Sequence, residues 1–178
     1  MPVLYGERLT RNLLRPDIPT AMTPAESRCL YGLALDRKVL EFGSLLGYST
    51  IVMAQSAKMV YAVDPHEGYP LADPKPTLTQ FLYNLHRYKV RDRVVPIVSS
   101  GQDIAWAFTP KSFGLILIDI TRFAAELICL ANTLDPDVIA VHDYGIEDWD
   151  GATKAVDKYS KETTRKLRFV DTLAILER

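Results

Sequence analysis

The feature that most limits how this chain can fold is a repeated switch of hydrophobic period. Short apolar runs suited to buried strands occur at Lys38–Phe42, Met59–Val63, Val94–Val98, Phe113–Ile118 and Val138–His142. Between them lie segments read as helical: Ser49–Ala57, Thr77–Tyr88, Gln102–Phe108 and Arg122–Thr133, with Gly151–Lys161 after the last. In Thr77–Tyr88 the residues Phe81, Leu82, Leu85 and Tyr88 recur at the spacing that lines one helix face. Strands alternating with helices imply βαβ units, hence a parallel sheet covered on both faces. The chain closes with Arg168–Val170, a tight turn at Asp171-Thr172, and Leu173–Leu176, a hairpin that adds an antiparallel strand. The expected fold is α/β: a Rossmann-like, doubly wound, mostly parallel seven-stranded sheet with a C-terminal antiparallel hairpin strand.

The 178 residues suit one domain, predicted over residues 23–178, behind an N-terminal arm over 1–22. The arm has no clear period and is a candidate lid or dimer element. Thr23-Pro24-Ala25-Glu26 matches a capping box, with Thr at the N-cap, Pro at the first helical position and Glu three residues on. A helix follows to about Asp36, with Cys29, Leu30, Leu33 and Ala34 on its apolar side.

A formal net charge of -1 supplies no global basic field, so nucleic acid is not the expected partner. The Lys and Arg cluster Arg87–Arg93 is interrupted by Asp92 and reads as a solvated helix end. The two cysteines, Cys29 and Cys129, have neither metal spacing nor a disulfide framework. Charges recurring from Glu7 to Arg15 argue against a signal peptide, and no apolar run approaches a membrane span. The expectation is a cytoplasmic monomer or homodimer that acts on a small molecule and has no membrane partner.

The most informative local stretch is Val39-Leu40-Glu41-Phe42-Gly43-Ser44-Leu45-Leu46-Gly47-Tyr48-Ser49-Thr50. An apolar strand with an acid near its end runs into a turn flanked by Gly43 and Gly47, and Ser49-Thr50 opens a helix. Open α/β sheets bind ligands at this carboxyl edge. Gly43 allows a tight turn where a ligand approaches the backbone. Glu41 would repel a pyrophosphate and suits a ligand with an ammonium group. Asp64, at the end of the next strand, can accept hydrogen bonds from both ribose hydroxyls, and it lies about twenty residues past the turn.

Leu40–Thr50 together with Tyr61-Ala62-Val63-Asp64-Pro65 resembles the class I S-adenosylmethionine-dependent methyltransferases, in particular their small O-methyltransferase-like branch. The likeness continues through Asn84–Val98, Phe113–Asp119, Val138–Tyr144, Gly151–Asp157 and Val170–Arg178. It implies S-adenosylmethionine as cofactor, with Glu41, Gly43 and Ser44 around the methionine part, Gly47, Ser49 and Thr50 completing the turn, and Asp64 with Pro65 at the ribose. Ser100, Gly101 and Gln102 would lie against the adenine, although Ser100 is equally readable as a helix cap.

Asp119 ends the fourth strand and His142-Asp143-Tyr144 the fifth, so Asp119, His142 and Asp143 are the candidate catalytic residues. Two chemistries are open. His142 could act as general base on a substrate hydroxyl. Alternatively Asp119 and Asp143, with or without His142, could hold a divalent cation such as Mg2+. Against both stands the plain reading of strand-end acids as helix caps and of a buried, merely hydrogen-bonded histidine. His66 reads as a loop residue or a border of the ribose. Tyr69, Trp106, Tyr144 and Trp149 could form an aromatic acceptor pocket, with Trp106 packed beside the adenine or in the core. After Asp119 the branch usually carries Gly and then a nearby His and Tyr, whereas this chain has Ile120-Thr121-Arg122-Phe123. The functional expectation is methyl transfer to a small-molecule hydroxyl oxygen. The alternatives are a cofactor-binding module without transfer and, against Glu41 and the missing Gly-x-Gly-x-x-Gly turn, a nicotinamide-dependent oxidoreductase.

Overall fold

The computed structural model describes residues 13–68, 75–147 and 150–178. Residues 1–12, Tyr69 and Trp149 lie outside the described residues, and with them most of the arm and part of the aromatic pocket expected from sequence.

Among the described residues seven strands and six α-helices follow one another: α1 (Pro24–Ala34), β1 (Lys38–Phe42), α2 (Tyr48–Ala54), β2 (Met59–Asp64), α3 (Leu78–Arg87), β3 (Val94–Val98), α4 (Gly101–Ile104), β4 (Leu115–Ile118), α5 (Ala124–Thr133), β5 (Val138–Val141), α6 (Asp150–Glu162), β6 (Lys166–Val170) and β7 (Leu173–Glu177). The sheet order is β3-β2-β1-β4-β5-β7-β6. Five strands are parallel, and β7 pairs antiparallel with both β5 and β6. The doubly wound sheet with its C-terminal hairpin is therefore as expected. Helices α2, α4 and α5 are shorter than their periodicity suggests, α2 stopping at Ala54 instead of Ala57. After α4 the chain tightens into a 3-10 turn at Ala105–Ala107, and Thr121–Phe123 forms another before α5.

Side-chain alternation sorts the strands onto two cores. Val39, Val60, Leu115, Leu117 and Ala140 face α1, α2 and α3, where Leu30, Leu33, Ile51 and Phe81 pack. Leu40, Phe42, Ile116, Ile118 and Ile139 face the other way, against Leu127 and Ile128 of α5 and Val156 of α6. Strands buried on both faces explain why they read as continuous apolar runs. The described part of the arm is fastened to this body: Ile18 and Met22 are in the core, and the Asp17 N–H donates to the Tyr88 hydroxyl at 2.7 Å.

The capping box of α1 forms as read. Glu26 N–H donates to Thr23 Oγ1 at 3.1 Å, and Thr23 N–H donates to Glu26 Oε2 at 2.7 Å. The winding reverses between β1 and β4, so the carboxyl ends of these neighbours, Phe42↔Ile118, open the crevice where doubly wound sheets take ligands. Among the described residues no helix is long and apolar enough to cross a membrane.

Candidate active site at the carboxyl edge of the sheet

Two groups of polar residues meet at this crevice. The first is the turn leaving β1. Gly43 and Gly47 both have positive φ, +92° and +91°, which an L side chain rarely adopts. Gly43 has a second reason to be glycine. A Cβ there would stand 2.4 Å from the Asp119 carbonyl oxygen, so the end of β1 packs on the end of β4 without room for a side chain. Ligand approach alone, the reason inferred from sequence, is thus not what fixes this position. A Cβ at Gly47 would press on the Phe81 ring at 3.0 Å.

Asp64 closes the turn from the neighbouring strand. Its Oδ2 accepts the N–H groups of Ser44 (2.9 Å) and Leu45 (2.8 Å), and its Oδ1 accepts the N–H of His66 (2.7 Å). Register explains the reach, because β1 and β2 are parallel neighbours with Phe42 opposite Val63. Glu41 sits beneath the turn, fully buried. Its Oε1 accepts the Ser49 hydroxyl and its Oε2 the Thr50 hydroxyl, each at 2.5 Å. Burial pushes its carboxyl up to about 8; the two hydroxyls partly offset this, and the nearby charges of Asp119 and Asp64 add to it. Glu41 therefore does not stand open at the crevice as the sequence suggested. A cationic ligand would act on it from across the turn. Ser44 Oγ and His66 Nε2 are buried without a hydrogen-bond partner, two orphaned polar atoms beside this turn. Burial lowers the His66 pKa, and its Nδ1 lies 2.9 Å from Thr77 Oγ1.

The second group stands at the ends of β4 and β5. His142 Nδ1 lies 3.1 Å from Asp119 Oδ1 and 3.1 Å from Asp143 Oδ1. Thr121, on the 3-10 turn after β4, donates its hydroxyl to Asp143 Oδ2 at 2.7 Å. On the far side of the ring, Nε2 is 3.5 Å from Glu26 Oε2, an ion-pair contact too poorly aligned to count as a hydrogen bond. Burial by itself would lower the His142 pKa, but the contacts with Asp119, Asp143 and Glu26 outweigh it and push it up to about 12. Burial would raise Asp143; the imidazole and the Thr121 hydroxyl bring it below the ordinary range. His142 is thus an imidazolium at neutral pH, which opposes its use as a general base.

The structure brings together all three candidate catalytic residues, and it joins Glu41, Gly43, Ser44, Gly47, Ser49, Thr50 and Asp64 around one turn. Pro65 follows Asp64 on the exposed surface. Ser100 caps α4, accepting the Asp103 N–H at 3.2 Å and donating to Asp103 Oδ2 at 2.6 Å, and Gln102 Nε2 donates to Glu126 Oε2 at 3.3 Å. Gly101 lies against Phe42 and Leu127, where a Cβ would collide. Trp106 is 80% exposed, so it is not in the core. Tyr144 stacks on Phe169 at 4.5 Å and donates its hydroxyl to Asp157 of α6 at 2.9 Å. Sequence reasoning missed Thr121 and the second role of Glu26. At the opposite end of the sheet a charged cleft of about 500 Å3 is lined by Lys38, Lys58, Lys111, Asp135 and Arg178, away from all of these groups.

A reversed sheet order, a two-glycine turn after β1 and acids at the ends of β2, β4 and β5 define the class I S-adenosylmethionine-dependent methyltransferase fold. The chain belongs to the methyltransferase-domain family whose model matches residues 40–144, more than half of its length. In fold it is similar to cofactor-bound Rv0187 from MTB, with 22% identity, 96% of this chain and 86% of that chain covered, and a TM-score of 0.70. It is similar also to the O-methyltransferase from Bacillus cereus solved with SAH (18% identity, 95% and 86% covered, TM-score 0.66). A further similar structure is the O-methyltransferase TomG from Streptomyces achromogenes, involved in tomaymycin synthesis and solved with SAM (16% identity, 96% and 86% covered, TM-score 0.66). No curated protein matches the chain.

Proposed function

We propose that this protein transfers a methyl group from S-adenosylmethionine to a hydroxyl oxygen of a small molecule. The observation that carries this reading is the joined turn: the acid ending β2 holds the glycine turn ending β1, and the β4 and β5 acids stand beside it. The similar Bacillus and Streptomyces proteins, O-methyltransferases solved with SAH and SAM, support it. Gly43, Ser44 and Gly47 take the methionine part, with Glu41, Ser49 and Thr50 holding the turn beneath. The orphaned Ser44 hydroxyl fits a ligand that brings a polar group there. Asp64 and Pro65 border the ribose, and Ser100, Gly101 and Gln102 the adenine.

Transfer is an in-line displacement from a sulfonium that already carries a good leaving group, so the chain's main work is to position donor and acceptor. Asp119 is the partly exposed acid of the cluster, with a side chain 25% exposed. Its Oδ1 is held by His142, and Oδ2 receives the acceptor's proton. Asp143 keeps the imidazolium in place. Ligand atoms of Asp119, His142 and Asp143 all lie within 4.8 Å of one another, so this set would also fit a divalent cation. Two carboxylates suit Mg2+ or Mn2+, while the imidazole favours a transition ion. Such an ion would take the place of the imidazole proton and acidify the acceptor hydroxyl.

A module that binds the cofactor without transfer is the second reading. Ile120 favours it, because its side chain closes on Gly43, where a Cβ would lie 2.8 Å from Cγ1. One experiment separates the two: calorimetric titration with S-adenosylhomocysteine, and a radiolabelled methyl-transfer screen over hydroxylated metabolites with and without Mg2+ or Mn2+. Binding with transfer is the expected result, and Asp143→Ala should lower turnover more than cofactor affinity. Binding without transfer establishes the module, and binding of NAD in place of S-adenosylhomocysteine overturns both.

A further inference from the structure

We infer that Glu26 is a positioning residue for the strand-end cluster: it holds the ring of His142 from behind, so that the opposite ring nitrogen faces Asp119 and Asp143. As a helix cap, Glu26 needs only one oxygen and one contact, the Thr23 N–H. It makes far more. Its Oε1 accepts both the N–H (2.8 Å) and the hydroxyl (2.7 Å) of Thr172, in the turn between β6 and β7. Its Oε2 takes the Thr23 N–H at 2.7 Å and faces His142 Nε2 at 3.5 Å. The side chain is completely buried. Donors from α1 and from the hairpin turn therefore fix the carboxylate plane, and the remaining side of Oε2 is turned to β5.

The hairpin turn is itself tied down. Thr23 Oγ1 donates to Asp171 Oδ2 at 2.5 Å, and the Tyr144 N–H, just past the cluster, donates to the Thr172 carbonyl at 2.9 Å. Glu26 is thus joined to the β5 exit through Thr172, which donates to its carboxylate and accepts from Tyr144.

His142 has few alternatives. It is 4% exposed, its backbone N–H is engaged with the Ile118 carbonyl at 3.0 Å, and Nδ1 already stands between two acids. Among the described residues Glu26 is the acceptor recorded near Nε2. Without it the Nε2 side of the buried imidazolium loses the carboxylate that faces it, and turning the ring to seek another removes Nδ1 from Asp119 and Asp143. The consequence for catalysis rests on the methyl-transfer reading; the positioning of the ring does not.

The test compares Glu26→Gln with Thr23→Ala, which weakens the same cap and leaves the His142 contact in place. The ring nitrogens of the three histidines are followed by long-range 1H–15N correlation at fixed pH, with affinity for S-adenosylhomocysteine measured in parallel. Glu26→Gln is expected to move the His142 ring resonances, to keep cofactor affinity within about twofold, and to cut turnover about tenfold on any acceptor found by the transfer screen. Thr23→Ala is expected to lower thermal stability with those resonances unmoved. Unmoved resonances in Glu26→Gln, or equal movement in Thr23→Ala, overturn the inference. If Glu26→Gln does not fold, Glu26→Asp, which keeps the charge and shortens the reach, is read by the same criteria. Absence of transfer by the wild-type protein would defeat the methyl-transfer reading and leave the resonance result to decide Glu26.

Discussion

Glu26 and Glu41 are both completely buried, yet they end in opposite states. Burial pushes the Glu41 carboxyl up to about 8. Burial would raise Glu26 as well, but the facing imidazolium of His142 and the hydrogen bonds from Thr23 and Thr172 bring it down to about 2. The difference lies in what the partners can do. Glu41 meets two hydroxyls, and a hydroxyl donates to a carboxylate or accepts from a carboxylic acid with equal ease. Glu26 meets one hydroxyl too, but beside it two backbone N–H groups, which can only donate, and an imidazolium. The glycine-turn acid is therefore neutral in the free protein near neutral pH, and the cap acid is charged. A cofactor ammonium near the turn would draw Glu41 toward its ionised form, a change that Glu26 does not need.

The largest expected loss of stability breaks the charged half of this pair. Glu26→Ala strands a buried imidazolium and three donors, and should cost about 3–5 kcal/mol at pH 7 by urea denaturation. A loss under about 1 kcal/mol would contradict the network. The wild-type protein should show the same bond through acid. The folded pKa of Glu26 lies below its ordinary 4.5, so its stabilisation is present above pH 4.5 and is lost as pH falls toward about 2. It amounts to about 3 kcal/mol at most.

Glu41→Gln tests the neutral half, with the opposite slope. The folded pKa of Glu41 lies above its ordinary 4.5, so its contribution is intact below pH 4.5 and is lost as pH rises toward about 8. Near pH 4.5 the variant should match wild type, and near pH 8.5 it should be more stable by about 4–5 kcal/mol. Equal stability at both pH values would show that Glu41 ionises freely where it is. Asp64→Ala has a smaller consequence that is read in binding. Affinity for S-adenosylhomocysteine should fall tenfold or more, on the order of 1.4 kcal/mol. Unchanged affinity would remove Asp64 from the ribose and leave it as the clamp of the Ser44 and Leu45 N–H groups.

The same pair explains what was legible in the sequence. Periodicity located β1, β4, β5 and β7 because strands buried on both faces must be apolar throughout, the half-exposed edge strand β6 was marked by its hairpin turn, and the Gly43–Gly47 turn was readable because its parts are contiguous. Glu26 was readable as a cap for the same reason: the capping box spans only four residues, Thr23 to Glu26. Its contact with His142 was not, because no local rule records which strand end a distant helix cap will face. Glu41 was misjudged in a related way. An acid near a strand end reads as a charge aimed at a ligand, and only the tertiary structure shows it sealed beneath Ser49 and Thr50. Arg122 and Phe123 were read into the α5 helix, which concealed the 3-10 turn at Thr121–Phe123 and with it Thr121 as the donor that holds Asp143.

Trp106 gives the smallest expected effect and bounds the comparison from outside. Large and apolar, it invites a place in the core or beside the adenine. It stands on the 3-10 turn Ala105–Ala107, after a helix of only four residues, and is 80% exposed, whereas its neighbour Ala105 is buried. The core at this corner is closed by the small side chain, and the indole adds little apolar burial to folding. Trp106→Ala should therefore change the unfolding free energy by less than about 0.5 kcal/mol. A loss of several kcal/mol in urea denaturation would mean that the indole is packed in the folded protein, and that the corner beside β3 is closed by Trp106 instead of Ala105.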